Sequence, residues 1–182
     1  MIEMVKTLLV NQYEAALSML KACVDGCPDD TWNAPVATYS FSRVVFHTLY
    51  FTDLYLGRDD EATFRRQPSH RQLAPLFADL PPMREPFEDP APRSFDRAAL
   101  LTYLDLCRRK VSEVMTTETE ETLRAPEAFG KKFSRAELHV YNIRHIHHHA
   151  AQLSLRLRLD GGQGVDWVGS GWREAALAEQ PE

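Results

Sequence analysis

Apolar side chains recur at three- and four-residue steps in four stretches of the chain, and each stretch carries the start and stop residues expected of a helix. The first runs from about Ile2 to Val24, with Val5, Leu9, Tyr13, Ala16, Leu17, Leu20 and Val24 in register, and Gly26 and Pro28 close it. The second starts around Phe41, behind the capping candidates Ser40 and Ser42, and runs to about Leu56 and Gly57. Val44, Val45, Thr48, Phe51, Thr52 and Tyr55 give it a wide apolar face. The third follows Ser94 and reaches about Met115, with Asp96 in its first turn, where a carboxylate suits the helix dipole. The fourth opens on Ser134-Arg135-Ala136-Glu137, the pattern of a capping box, and continues to about Leu159, where Gly161 and Gly162 stop it. At about 1.5 Å per residue it is roughly 39 Å long.

Between the second and third helices, residues 59–93 hold seven of the eleven prolines, so this stretch cannot be one helix. It reads as a long crossover with short helical pieces around Glu61–Arg66 and Arg71–Asp79. A turn region, Ala125 to Lys132, precedes the fourth helix, and the tail Val165-Asp166-Trp167-Val168-Gly169 is expected to fold back onto the helices. No strand alternation and no internal repeat stand out. Four amphipathic helices with one long connection predict an all-α chain, a four-helix bundle, in a single domain over residues 1–182.

Composition changes the picture only by exclusion. The hydrophobic share of 44 % is that of an ordinary globular chain rather than a disordered one. Apolar runs are too short to span a membrane, and the N-terminus shows no secretory leader, so the expected location is the cytoplasm. A formal net charge of −5, without a dense Lys/Arg block, lacks the footprint of a nucleic-acid binder. Cys23 and Cys27 straddle a helix end, and no second pair exists to complete a zinc knuckle; they and Cys107 read as packed thiols.

The seven histidines carry the candidate chemistry. Four of them fall in Arg144-His145-Ile146-His147-His148-His149 of the fourth helix. His145 and His149 are one turn apart on one face, with Cβ atoms about 5–6 Å apart, a spacing from which two imidazoles can converge on one ion at about 2.0–2.1 Å. His147 points away from both, and His148 lies between the two directions. On the second helix His47 lies between Val44 and Phe51 on the packed face. One histidine from that helix and a pair from the fourth make a three-His site with an open coordination position, the pattern of a catalytic metal. The alternative stays open at this level: such pairs often arise by chance, and a lone histidine on an apolar face is more often a hydrogen-bonded core residue than a ligand. His70 and His139 are assigned to the surface or to local hydrogen bonds, and His147 and His148 to solvent or an interface. No His-Glu-x-x-His, no di-iron Glu-x-x-His pair, no phosphate-binding glycine loop and no Gly-x-Ser-x-Gly elbow is present.

His47 within Val44-Val45-Phe46-His47-Thr48-Leu49-Tyr50, and His145-Ile146-His147-His148-His149-Ala150-Ala151-Gln152-Leu153, resemble the corresponding segments of the DinB/YfiT-like superfamily of bacterial helical-bundle proteins. The second segment is similar to that family's His-x-x-His-His-x-Gly-Gln-Leu, with Ala151 where Gly is usual. The resemblance implies an up-down-down-up bundle, often a homodimer, that binds nickel, zinc or a similar divalent ion through three histidines, here His47, His145 and His149. It further implies a thiol-dependent S-transferase, with a low-molecular-weight thiol as co-substrate and a small electrophile as substrate. A metal-dependent hydrolase and a non-catalytic dimeric stress-response or interaction module are the alternatives. Tyr141 and Gln152, near one turn before His145 and one turn after His149, are candidates for hydrogen bonds to the ligands or substrate, and equally for capping or packing.

Overall fold

The structure, a computed structural model, describes residues 1–58, 61–78 and 94–173. Four long helices account for most of it: α1 (Ile2–Asp25), α2 (Phe41–Leu56), α5 (Arg97–Thr117) and α7 (Arg135–Gly161). Short helices α3 (Glu61–Arg65) and α4 (Ala74–Phe77), with a 3₁₀ turn at Pro68–Leu73 between them, lie in the crossover, and α6 (Glu120–Arg124) follows α5. The pieces expected around Glu61–Arg66 and Arg71–Asp79 therefore exist in shortened form, while residues 59, 60 and 79–93 of the crossover lie outside the described residues. Among the described residues there is no strand, only isolated bridges Pro35–Ser40 and Pro126–Ser134. No helix is long and apolar enough to cross a membrane.

Local chemistry sets the helix ends. Ser40, not Ser42, caps α2, accepting from the Arg43 N–H, whereas Ser42 is buried and bonds Asn33. Asp96 is the cap of α5 itself, accepting from the Ala99 N–H at 2.8 Å. At α7 the Ser134 hydroxyl accepts from the Glu137 N–H (3.2 Å), which is one half of the capping box. A two-way box occurs at α6, between Thr119 and Thr122, an element the apolar periodicity did not reveal. Gly162 ends α7 at φ 77°, the left-handed conformation that glycine adopts without a Cβ penalty.

Contacts along the helices give their directions. Tyr13 meets His139 and Cys23 meets Ala150, so α1 and α7 run the same way. Phe46 stacks on Phe95 at 4.2 Å and Cys107 bonds the Leu49 carbonyl, so α2 and α5 also run the same way. Glu14 pairs with Arg108 while Arg97 reaches the Val24 carbonyl, which sets α5 antiparallel to α1. The C-terminal end of α2 abuts the start of α7. Between these helices Tyr13, Phe41, Phe46, Tyr50 and Tyr103 are fully buried, and all three cysteines are free, buried thiols. The tail folds back as expected: Val165 and Val168 are buried, Gly171 N–H donates to the Asn11 carbonyl, and the Arg108 guanidinium lies 3.9 Å over the Trp172 ring.

Two buried polar networks cross this apolar interior. In one, Arg135 donates from Nη1 to the carbonyls of Tyr55 (2.6 Å) and Gly57 (2.9 Å), from Nη2 to Leu56 (2.7 Å), and from Nε to Glu118 (3.0 Å). The last carbonyls of α2 are satisfied by a cation from another helix, since α2 carries no basic residue in its own last turn. Glu118 also accepts from Arg58 and Thr122 and faces His139 at 3.4 Å. In the other, Asp53 of α2 accepts from Tyr103 (3.0 Å) and Lys110, and meets His70 Nε2 at 2.7 Å. His70 and His139 are thus buried residues with partners far along the chain, which corrects their assignment to the surface or to local bonds.

Removing one member of a buried charge pair strands the other in low dielectric, at about 3–5 kcal/mol. Arg135→Met is expected to destabilise the fold by roughly that amount in urea denaturation, more than exposed-pair variants such as Arg124→Ala. A second expectation concerns acid. Burial raises the Asp53 carboxyl, but the bonds and charges of His70 and Lys110 outweigh it, and the folded value lies below the ordinary 3.8. The stability that the ionised carboxylate supplies is therefore complete above 3.8 and is lost as pH falls through the lower folded value. The gap in urea midpoint between wild type and Asp53→Asn should narrow on acidification below that point; a constant gap would contradict the assignment.

Candidate metal centre

α2 and α7 lie side by side and antiparallel, and a series of polar contacts fixes their register. Beyond Arg135, the Asn142 amide of α7 donates to the Thr52 carbonyl of α2 at 3.0 Å, and both side chains are fully buried. About one turn further along each helix stand His47 and His145. Their Nε2 atoms are 3.2 Å apart. His149, one turn on from His145, brings its ring centroid to 4.8 Å from that of His47 and 4.6 Å from that of His145. The ligand atoms of the three all lie within 4.8 Å of one another, which makes them a group able to hold a metal ion. Among the described residues no carboxylate or cysteine joins them.

The chemistry of this donor set fits a divalent ion. Two nitrogens at about 2.0–2.1 Å from one tetrahedral ion are about 3.3 Å apart, close to the 3.2 Å between His47 and His145. Burial, then the neighbouring His149, holds His47 down at about 3; burial and the neighbouring histidines hold His145 down at about 2. Both are neutral imidazoles at physiological pH, the state in which histidine binds metal. Gln152 sets the third. Its Oε1, which can only accept, is 2.9 Å from His149 Nδ1, so Nδ1 carries a proton, and in the neutral tautomer this leaves the Nε2 lone pair for an ion. The amide nitrogen of Gln152 reaches His148 Nε2 at 3.1 Å. The rings of His47 and His145 are oriented by aromatic packing, on Phe51 at 4.8 and 5.9 Å, and His145 Nδ1 is buried with no hydrogen-bond partner.

The structure thus brings together the three candidate ligands and one of the two candidate helpers. Tyr141 makes no hydrogen bond to a ligand ring: its ring packs on Tyr55 and Phe133, its hydroxyl accepts from Lys131 at 3.4 Å, and it reaches the site only as part of a cavity lining beside His145. His147 is half-buried against Trp167, and His148 is exposed. Two cavities meet the triad. One, of about 360 Å³, is lined by residues 36–39, Arg43, Val44, His47, His149, Gln152 and Leu155. The other, of about 660 Å³, is lined by His145 together with Gln12, Tyr141, Ile143, Arg144, His147 and His148. Sequence reasoning missed the wall formed by residues 36–39 and Arg43, because a loop's approach to a helix leaves no periodic trace. It also missed Asp53, Glu118 and Arg135. Asp53 did carry a signal, a carboxylate inside the apolar run Phe51–Leu56 that demands a buried partner.

Fold and site together define a helical protein with an all-imidazole pocket between two antiparallel helices. The sequence model of the DinB superfamily matches residues 12–153, a span that begins in α1, ends in α7 and includes all three histidines. The chain belongs to the DinB superfamily. No curated protein and no solved structure matches it.

Breaking the hydrogen bond that fixes a ligating imidazole typically weakens metal affinity about 10–100-fold. Gln152→Leu is expected to do so in zinc competition titrations, while Tyr141→Phe leaves the affinity near wild type.

Proposed function

We propose that the protein is a metal-dependent enzyme whose centre is His47, His145 and His149, and that it transfers a low-molecular-weight thiol onto a small electrophile. The convergence of three imidazoles from two helices, with no carboxylate joining them among the described residues, carries this reading. A divalent ion, nickel or zinc, would keep its full charge in such a site and supply Lewis-acid chemistry that favours a thiolate near neutral pH.

In the reaction, the thiol sulfur forms a bond to the electrophilic carbon, and the bond from that carbon to its leaving atom breaks with its electron pair going to the leaving atom. The thiol proton ends on that atom, so the thiol and electrophile become a thioether and the protonated leaving group. Gln152 holds His149 in the tautomer that presents Nε2, and Phe51 holds the other two rings in place. The cavity walls would orient the substrate against the imidazoles. The separate cavities at His145 and at His47/His149 favour a two-substrate reaction over hydrolysis, which needs only one organic ligand at the centre.

The same reading takes residues 1–182 as one domain of an up-down-down-up bundle, acting as a homodimer in the bacterial cytoplasm. The helix directions support the topology, and three free buried thiols suit a reducing compartment.

With the affinity tag removed, the wild type is expected to hold about one equivalent of divalent metal, and His145→Ala/His149→Ala none. Added thiols should then perturb the visible spectrum of the cobalt-substituted protein. A spectrum indifferent to thiols would remove the transferase reading, and a metal-free wild type would remove the enzyme reading altogether.

A further inference from the structure

We propose that His148 is a positioning residue of the metal centre, coupled to it through the Gln152 amide. An acceptor at position 148 holds that amide in the sense that opens His149 to an ion, and a donor there closes it. This rests on the metal-dependent reading and deepens it by adding a residue that tunes the affinity of the centre without touching the ion.

The three side chains share one stretch of α7, with Gln152 four residues after His148 and three after His149. Both spacings make neighbours on a helix surface, so a single amide reaches both rings. Its Oε1 is 2.9 Å from His149 Nδ1, and its Nε2 is 3.1 Å from His148 Nε2. The two rings stand edge to face, with centroids 5.0 Å apart.

Donor and acceptor counting fixes how the three move together. A carboxamide accepts at one end and donates at the other. For His149 to offer Nε2 to an ion, its proton must be on Nδ1, and that N–H needs the amide oxygen. The NH2 end then faces His148, and a bond there requires His148 Nε2 to accept, with the ring's own proton on Nδ1. A half-turn of the amide reverses every link. The NH2 end would then bond an unprotonated His149 Nδ1, leaving the proton on His149 Nε2 and closing that nitrogen to metal. What position 148 offers to the amide therefore bears on the ion, and by linkage the ion bears on the His148 ring.

The test uses the full chain with its affinity tag removed, and reads zinc content and Tm in every sample. His148→Glu puts an acceptor and His148→Lys a donor at an exposed position; each is made alone and together with Gln152→Leu, which keeps the charge at 148 and removes the amide. In zinc competition titrations the Glu variant is expected to bind more tightly than the Lys variant in both backgrounds. With the amide present the ratio should be larger by at least about threefold, the contribution of one hydrogen bond. Nitrogen NMR of the histidine rings at mildly alkaline pH supplies the second readout: zinc-loaded wild type should carry the His148 proton on Nδ1. Equal ratios in the two backgrounds, or a zinc-loaded wild type with that proton on Nε2, overturns the proposal, while zinc uptake by the wild type leaves the metal reading standing. Wild type that takes up no zinc overturns the metal reading, and the proposal with it.

Discussion

The arrangement depends on one buried guanidinium. Arg135, at the first turn of α7, closes the open carbonyls at the end of α2 and pairs with Glu118 just beyond α5. A helix end buried without partners would leave several unsatisfied acceptors in low dielectric, so α2 can be buried at this end only where such a cation stands. That requirement sets the register of α7 on α2. From the pin, His47 is about 12 Å back along α2 and His145 about 15 Å forward along α7, at 1.5 Å per residue. Asn142 holds the two helices midway. The imidazoles meet because the ends are fixed, and a slip of one turn in either helix would part them by about 5.4 Å.

Much of this was legible in the chain, and the limits of what was legible have a physical cause. Periodicity and caps located the four long helices to within a few residues, because those signals are local. The convergence of His47 with His145 and His149 followed from helix geometry together with the expectation that both faces point inward. The partners of His70 and His139 did not follow. Asp53 and Glu118 lie 17 and 21 residues away from them, and nothing local says which carboxylate a buried histidine will meet. Helix α6 was missed because two threonines cap it, and a single turn carries no apolar repeat.

Among the described residues the interior therefore holds three polar clusters of different kinds. The networks around Asp53 and Glu118 are charged and internally paired, and each ties elements from different parts of the chain into one arrangement. Such groups are a weak source of stability next to apolar packing, and a stronger one of uniqueness, because any other packing would leave a charge unmatched. The histidine triad is held together without a carboxylate among the described residues, and it borders two cavities instead of lying wholly inside the packing.

His47 and His145 are 98 residues apart in sequence, and the proline-rich crossover lies between them. In polymer terms, anything that grips both imidazoles closes a very large ring. Closing a ring of about 100 residues withdraws roughly 4–5 kcal/mol of freedom from a disordered chain, but a doubling of ring length changes that by only about 0.6 kcal/mol. A change in the length of the crossover therefore carries almost no entropic consequence for closing that ring, and the geometry of the triad is insulated from how many residues the connection holds.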